Sequence, residues 1–167
     1  MRNRGIFIPF LVCLCLGVLS ERAFPIGKTG NNSILDVQEG ISAKVPQNFP
    51  EITDLLGNSV SLRSNSVIHQ RGQFFQAEFR IFIFRDRYPN LVADSFAGVK
   101  TYFSSSTETS YEVIRETSDR LVLLGQNSSS VVGIIIAHDG RGLVFVGQNY
   151  EIIKQGILDT MNGVVFQ

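Results

Sequence analysis

The alternation of apolar and polar residues is strongest between residues 73 and 87, where it predicts a β-strand. Because successive side chains of a strand point to opposite faces, one face of this segment is apolar throughout: Phe75, Ala77, Phe79, Ile81 and Ile83. The opposite face is polar in its first half and aromatic in its second. A strand that is apolar on both faces at one end is covered on both sides there. We therefore expect a helix layer on each face of the sheet, or a dimer or ligand contact in place of one layer.

Further strands are predicted by short apolar or alternating segments at residues 41–45, 59–68, 111–117, 120–126, 131–138 and 143–147. Pro46 and Pro50 mark the connection between the first two of these strands as a loop. Short turns join the last four strands, and Asp139-Gly140 is a strong hairpin signal. Since short turns imply antiparallel pairing, the sequence predicts an antiparallel sheet.

Two segments have the periodicity of amphipathic helices. The first begins at Asn90, a suitable N-cap, and its apolar face comprises Val92, Phe96, Val99 and Phe103. The second is predicted from residue 149 to about residue 162, with Gly163 as its C-cap. Its apolar stripe comprises Ile153, Ile157 and Met161.

This order of elements predicts an α+β fold, in which an antiparallel β-sheet of about six strands is covered by two main helices in an arrangement like an α/β/α sandwich. A chain of 167 residues amounts to one domain, which we place at residues 41–167. Residues 24–40 are rich in Gly, Asn, Ser and Thr and lack a periodic apolar pattern. They predict a flexible N-terminal arm.

The first residues have the layout of a secretory signal peptide. Arg2 and Arg4 precede the apolar residues 6–19, a run too short for the roughly 20 apolar residues of a membrane-spanning helix. We expect a signal peptide at residues 1–23 and export to a periplasm, a thylakoid-lumen-like space or the extracellular space, with a retained membrane anchor as the alternative. Both cysteines, Cys13 and Cys15, lie in this segment, so thiol chemistry is not expected in the exported chain.

Composition and motifs disfavour several classes of function. The chain has 15 basic and 15 acidic residues, whereas a nucleic-acid-binding protein carries a basic excess. The sequence contains neither a nucleophile elbow nor a complete phosphate-binding loop. Its two histidines, His69 and His138, do not have metal-ligand spacing. We therefore expect no enzymatic activity, no metal site and no cofactor.

One catalytic hypothesis remains from the sequence. His138 would act as a general base toward a serine, with Asp139 in the same cleft. The simpler interpretation is a surface histidine beside a hairpin turn. His69 is interpreted in the same way, as part of a polar turn that precedes the long strand.

Basic and aromatic residues cluster where the long strand ends. Arg85, Arg87 and Tyr88 are the predicted partner-contact residues, because arginine is favoured in protein interfaces and in carboxylate recognition. The alternative is a local Asp–Arg pair that keeps a sheet edge soluble. Phe82 and Phe84 are the predicted lining of a pocket between sheet and helix, if the many phenylalanines of this region enclose a cavity.

Three stretches carry a resemblance to a known family. They are Ile41-Ser42-Ala43-Lys44-Val45-Pro46-Gln47-Asn48-Phe49, the segment 79–87 with the helix 90–103, and the hairpin 131–147 with the closing segment 149–166. This layout resembles the PsbP-like family, the extrinsic photosystem II proteins and their relatives. The resemblance implies an α/β/α sandwich with an antiparallel central sheet. It also implies a binding or assembly function, and no catalytic residue carries over.

The leading expectation is an exported, non-enzymatic domain that binds a protein partner or assists the assembly of a membrane complex. Peripheral association with a membrane is compatible with this role, and a nucleic-acid partner is not expected. The alternative is a carrier of a small hydrophobic ligand or lipid. The oligomeric state is left open by the sequence.

Overall fold

A computed structural model of the chain describes residues 34–37, 40–55, 59–84 and 96–167. The signal peptide predicted at residues 1–23 lies outside these residues. Within them the chain forms ten strands and two helices: β1 (Ile34–Val37), β2 (Ile41–Lys44), β3 (Glu51–Leu55), β4 (Ser59–Gln70), β5 (Gln73–Phe84), α1 (Ala97–Ser104), β6 (Ser110–Glu116), β7 (Arg120–Gln126), β8 (Ser130–Ala137), β9 (Gly142–Gln148), α2 (Glu151–Asn162) and β10 (Val165–Phe166).

Seven strands form one antiparallel sheet in the order β3-β4-β5-β9-β8-β7-β6. The last four of them along the chain pair in succession, as their short turns predict. One pairing of distant strands completes the sheet, because β9 lies beside β5 in a register that runs from Phe79↔Gly147 to Phe84↔Gly142. This pairing joins the hairpin of β4 and β5 to the four-stranded meander.

A second sheet has three strands in the order β1-β2-β10. Its central strand, β2, buries Ile41 and Ala43 in the same core as α2. Arg120 of β7 reaches this sheet, where its Nη1 donates a hydrogen bond to the Val164 carbonyl at 3.0 Å. The Arg120 guanidinium also lies 5.8 Å from the centroid of the Phe166 ring. These contacts hold the last strand against the main sheet.

The side chains of β8 alternate between two apolar clusters on opposite faces of the main sheet. Ile135 belongs to the cluster that contains the apolar stripe of α2, namely Ile153, Ile157 and Met161. Ile134 and Ile136 belong to the other cluster, together with Phe96 and Val99 at the start of α1. The two helices therefore pack on opposite faces of the sheet, which is the first of the arrangements expected for a strand that is apolar on both faces.

The predicted α+β class, with an antiparallel sheet and two main helices, is confirmed. The main sheet has seven strands and not about six. The predicted strand at residues 41–45 lies in the second sheet as β2, while residues 51–55 form β3 of the main sheet and not the predicted loop. Edge strand β3 places Ile52 against the core, while Glu51 and Thr53 are exposed. Among the described side chains of β3 only Ile52 packs inward, and one such residue after two prolines is too weak a pattern to predict a strand.

The predicted N-terminal arm, residues 24–40, also contains a strand that the sequence pattern does not predict. Residues Ile34–Val37 form β1, which pairs antiparallel with β2. Strand β10 pairs with only one edge of β2, so the other edge is free to pair with β1. The first helix begins at Ala97 in the described part of the chain, and the predicted cap Asn90 lies outside that part. The second helix begins at Glu151, two residues later than predicted, because Tyr150 has extended backbone angles.

Helix α2 approaches the core so closely that one of its positions requires glycine. A Cβ atom at Gly156 would overlap the ring of Phe49, which is fully buried and contacts Phe79 edge-on at a centroid distance of 4.9 Å. A residue that usually weakens a helix is therefore used here to bring helix and aromatic core into contact.

We expect Gly156→Ala to destabilise the protein by about 1–2 kcal/mol, because overpacking of the core outweighs the gain of about 1 kcal/mol in helix propensity. Urea unfolding measures this change. In a Phe49→Leu background, where the ring is absent, the same substitution should be neutral or stabilising. An equal loss of stability in both backgrounds would show that the Phe49 contact is not the cause.

Candidate binding groove

Helix α1 is held against the sheet by the apolar face that its periodicity predicts. Phe96 and Val99 are buried, and Phe103 is half-buried. The Phe103 ring contacts the ring of Tyr111 on β6 at a centroid distance of 4.9 Å. The helix thus reaches the outermost strand of the meander, β6.

A groove of about 320 Å³ lies between α1 and the two outer strands β6 and β7. Its floor and walls are mainly apolar, and its lining residues are Ala97, Lys100, Thr101, Phe103, Ser104, Tyr111, Val113 and Leu123. We call this feature the α1–β6 groove.

The backbone of the outer strands shapes the groove. Tyr111 lies over Gly125 of β7, where a Cβ atom would overlap its ring. The register of β6 against β7 shifts between Val113 and Arg115, which leaves Ile114 as an extra residue in a β-bulge. Burial raises the pKa of the Tyr111 hydroxyl above its ordinary value. The close approach of Tyr111 to Gly125 and the bulge at Ile114 place Tyr111 and Val113 together in the groove wall.

Polar groups at the rim of the groove are satisfied by one another. The ammonium of Lys100 pairs with the Glu116 carboxylate, with an Nζ–Oε2 distance of 2.8 Å. The Thr101 hydroxyl donates to the Ala97 carbonyl at 2.9 Å, and the Ser104 hydroxyl donates to the Thr101 carbonyl at 3.0 Å. An apolar group can therefore enter the groove without leaving these polar atoms unpaired.

The predicted partner-contact residues Arg85, Arg87 and Tyr88 lie outside the described residues. Of the predicted pocket residues, Phe82 is half-buried and packs against the cluster that contains α1. The backbone of Phe84 pairs with Gly142 at the end of β5. These phenylalanines belong to β5, whereas the α1–β6 groove lies beside β6 and β7. Strands β9 and β8 separate β5 from the groove.

Sequence reasoning misses the groove because its walls come from separate elements. Periodicity places Phe103 on a helix face, and it places Tyr111 and Val113 in a strand. No local pattern shows that this helix lies against this strand. The small residue Gly125, opposite Tyr111 in the register, is the one sequence signal that points to close packing there.

His138 and Asp139 lie in the hairpin turn between β8 and β9, as the simpler interpretation predicts. The backbone N–H of His138 donates to the Asp119 carbonyl at 2.8 Å, and its exposed ring lies edge-on to Phe96 at 6.3 Å. The Asp139 carboxylate is held by Arg141, with an Nε–Oδ2 distance of 2.7 Å. The hydrogen bond from Arg141 lowers the pKa of Asp139 below its ordinary range.

In the described ranges, no cluster of three or more histidine, cysteine or acidic side chains has the arrangement of a metal site. Among the same residues, neither helix has the length and apolar character needed to cross a membrane. Comparison of the chain with protein-family models gives no match, and comparison with curated protein sequences gives no similar protein. The PsbP-like resemblance therefore depends on sequence pattern.

We expect Arg141→Gln to raise the pKa of the Asp139 carboxyl toward its ordinary range, which a carboxyl NMR titration measures. A lowered folded-state pKa stabilises the fold above the unfolded-state pKa, and this contribution disappears as the pH falls through the lowered value. The variant should therefore lose up to about 1 kcal/mol at neutral pH and less in acid.

Arg120→Gln is the matched control, because Arg120 pairs with Asp119 and not with Asp139. It should leave the Asp139 titration unchanged. If Asp139 titrates identically in the wild type and in Arg141→Gln, the assignment of Arg141 as its partner is wrong.

Proposed function

We propose that this chain is an exported, non-enzymatic domain of the PsbP-like type that binds a protein partner and thereby assists the assembly of a membrane complex. The observation that carries the proposal is the α1–β6 groove, a concave apolar surface at the edge of the sheet. Export to a periplasm, a thylakoid-lumen-like space or the extracellular space is supported by the layout of residues 1–23.

The packing of the two helices supports the finer part of the family assignment. Because α1 and α2 belong to apolar clusters on opposite faces of one antiparallel sheet, an α/β/α sandwich is the architecture we propose. Such domains in the PsbP-like family serve mainly in binding and assembly, so the resemblance and the groove favour the same class of function.

The groove has the anatomy of a small protein-interaction site. Binding energy at interfaces is concentrated where an apolar anchor fills a pocket from which water is excluded. Here Phe103, Tyr111 and Leu123 provide the pocket. We propose that an apolar or aromatic side chain of the partner is the anchor that enters it.

Exposed apolar side chains lie both in the groove and beside it. Val113 is 48% exposed on β6, and Tyr102 is 41% exposed on α1. The Lys100–Glu116 pair at the rim is also partly exposed, and rim charges of this kind select the orientation of a partner more than they add affinity. The surface thus combines an apolar centre with a charged edge.

A photoreactive phenylalanine analogue at position 113, introduced into the full chain in its native host, should form crosslinks to a protein on the exported side. The same analogue at position 114 is the control, because Ile114 is similarly exposed, at 42%, but does not line the groove. Val113→Lys should weaken the same complex about tenfold or more, as loss of an interface anchor does.

Crosslinks of equal yield and identity from positions 113 and 114 would contradict a specific contact in the groove. Absence of a protein crosslink from position 113 in exported chain would contradict the proposal itself.

A small hydrophobic ligand is the second candidate function, favoured by the volume of the groove. About 320 Å³ lies at the lower end of the roughly 300–1,000 Å³ of small-molecule sites. Because the rim groups already pair with one another, the ligand would be apolar and uncharged within the groove. Phe82 is not among the described lining residues, so such a ligand would contact Phe103 and Tyr111 instead.

Native mass spectrometry of chain recovered from its host tests this second function. A carrier should retain a bound small molecule, and Val113→Phe should release it because the larger side chain fills the groove. Ile114→Phe, outside the groove, should retain it. Ligand-free protein that still crosslinks from position 113 would favour protein binding over ligand transport.

A further inference from the structure

The hairpin of β4 and β5 extends past both of its neighbours in the sheet. Strand β3 pairs with β4 only from Ser59 to Arg63, and β9 pairs with β5 only from Phe79 to Phe84. Residues 67–76, which we call the hairpin arm, pair only with each other among the described strands. Four paired positions on each strand extend roughly 13 Å, at about 3.4 Å per residue.

The arm is a regular hairpin that is supported from behind. Arg71 and Gly72 both have positive φ, 50° and 77°, the signature of a tight two-residue turn. On the face toward α2, the Phe75 ring lies 5.7 Å from the Tyr150 ring, and the Tyr150 hydroxyl donates a hydrogen bond to the Gln70 side chain. The arm is therefore held in position with its other face outward.

The outward face of the arm carries the most exposed apolar side chains of the described residues. Phe74 is 74% exposed and Val67 is 57% exposed. His69 is the direct cross-strand partner of Phe74 and stacks on its ring at a centroid distance of 4.6 Å. An aromatic side chain exposed to this degree on a supported hairpin marks a contact surface.

The charge of the arm has one sign only. No acidic residue occurs from Ser64 to Ala77, while Arg71 forms the turn and His69 is exposed beside it. Among the described residues, no ion pair involves Arg71. The arm therefore presents a locally cationic, aromatic tip on a chain with zero formal net charge.

We propose that the hairpin arm is a membrane-contact element whose tip enters the interface of an anionic lipid bilayer. Phe74, close to the turn, would lie at the boundary of the acyl chains, and the Arg71 guanidinium would extend to the phosphate groups. Val67, at the base of the arm, would lie nearer the outer edge of the headgroups. Juxtaposed apolar and basic side chains are the features that attach a surface element to anionic lipid.

A bilayer fits the shape of this tip better than a folded protein does. A stable protein interface needs about 800 Å² on each partner with matching shape, whereas a two-stranded tip is narrow and convex. A fluid bilayer conforms to such a tip without a preformed cavity. Charge complementarity supports the same occupant, because the tip has no carboxylate to repel anionic headgroups.

This inference is independent of the partner-binding proposal. The arm lies on β4 and β5, and the groove lies beside β6 and β7, which are separated from the arm by β9 and β8. A chain attached to lipid by the arm would keep the groove accessible. Each proposal can therefore fail while the other holds.

The chain contains no tryptophan, so Phe74→Trp places a single fluorescent reporter at the tip. With vesicles of equal parts phosphatidylcholine and phosphatidylglycerol, its emission should shift to shorter wavelength, and brominated acyl chains should quench it. Ile114→Trp, in an exposed strand far from the arm, is the control and should show several-fold weaker quenching. Both full-length variants carry the same apolar residues 6–19, so the difference between them reports the arm.

Adding Arg71→Gln to Phe74→Trp should raise the vesicle concentration for half-maximal shift about fivefold, the effect of one cationic side chain near an anionic surface. Adding Arg115→Gln, an exposed arginine of β6, should leave it unchanged. Three results would overturn the proposal: fluorescence of the Phe74→Trp variant that does not change with vesicles, an equal response to phosphatidylcholine alone, or a protein crosslink from position 74 without any lipid response.

Discussion

Ile135 packs on the α2 side of strand β8, while Ile134 and Ile136 pack on the α1 side, and none of the three is more than 2% exposed. Each buried isoleucine contributes about 1.5–3 kcal/mol only if a layer covers its face of the sheet. This strand therefore requires a covering layer on each face, and α2 and α1 supply these layers. Gly133, in the same strand, has no side chain and leaves room for Met161 and Ile157 of α2. The position of the helices, and through them the rest of the fold, depends on this double burial.

Both proposed surfaces arise where the double coverage ends. Helix α1 buries Phe96 and Val99 on the inner strands of the meander and contacts β6 through Phe103, and the groove lies beside this last contact. Toward the opposite edge of the sheet, β4 and β5 continue past β3 and β9, and their outward face has no packing layer among the described residues. In both places apolar side chains are exposed to solvent that would be buried if the covering layer continued over them. Exposed apolar surface of this kind indicates a contact site.

Several charged side chains of the described residues form ion pairs with one another. Asp139 pairs with Arg141 at the hairpin turn, and Lys100 pairs with Glu116 beside the groove. At the base of the hairpin arm, Arg63 lies between two carboxylates and donates to Glu78 at 3.1 Å. Pairs of this kind fix loops and strand ends and contribute modestly to stability when exposed. This pattern, together with the apolar groove, is why a binding function is the proposal the structure supports best.

Sequence periodicity alone determined the strands of the meander, the inward face of β5 and the apolar stripe of α2, because each follows from the local repeat of a strand or a helix. It could not determine edge strand β3, the pairing of β5 with β9, or the groove, since these depend on residues far apart in the chain. Phe74 and Phe82 show the limit most clearly. Both lie on the same face of β5, yet Phe82 packs against the α1 cluster while Phe74 is exposed. Only the tertiary structure decides between them, because burial depends on whether a neighbouring strand and helix reach that position.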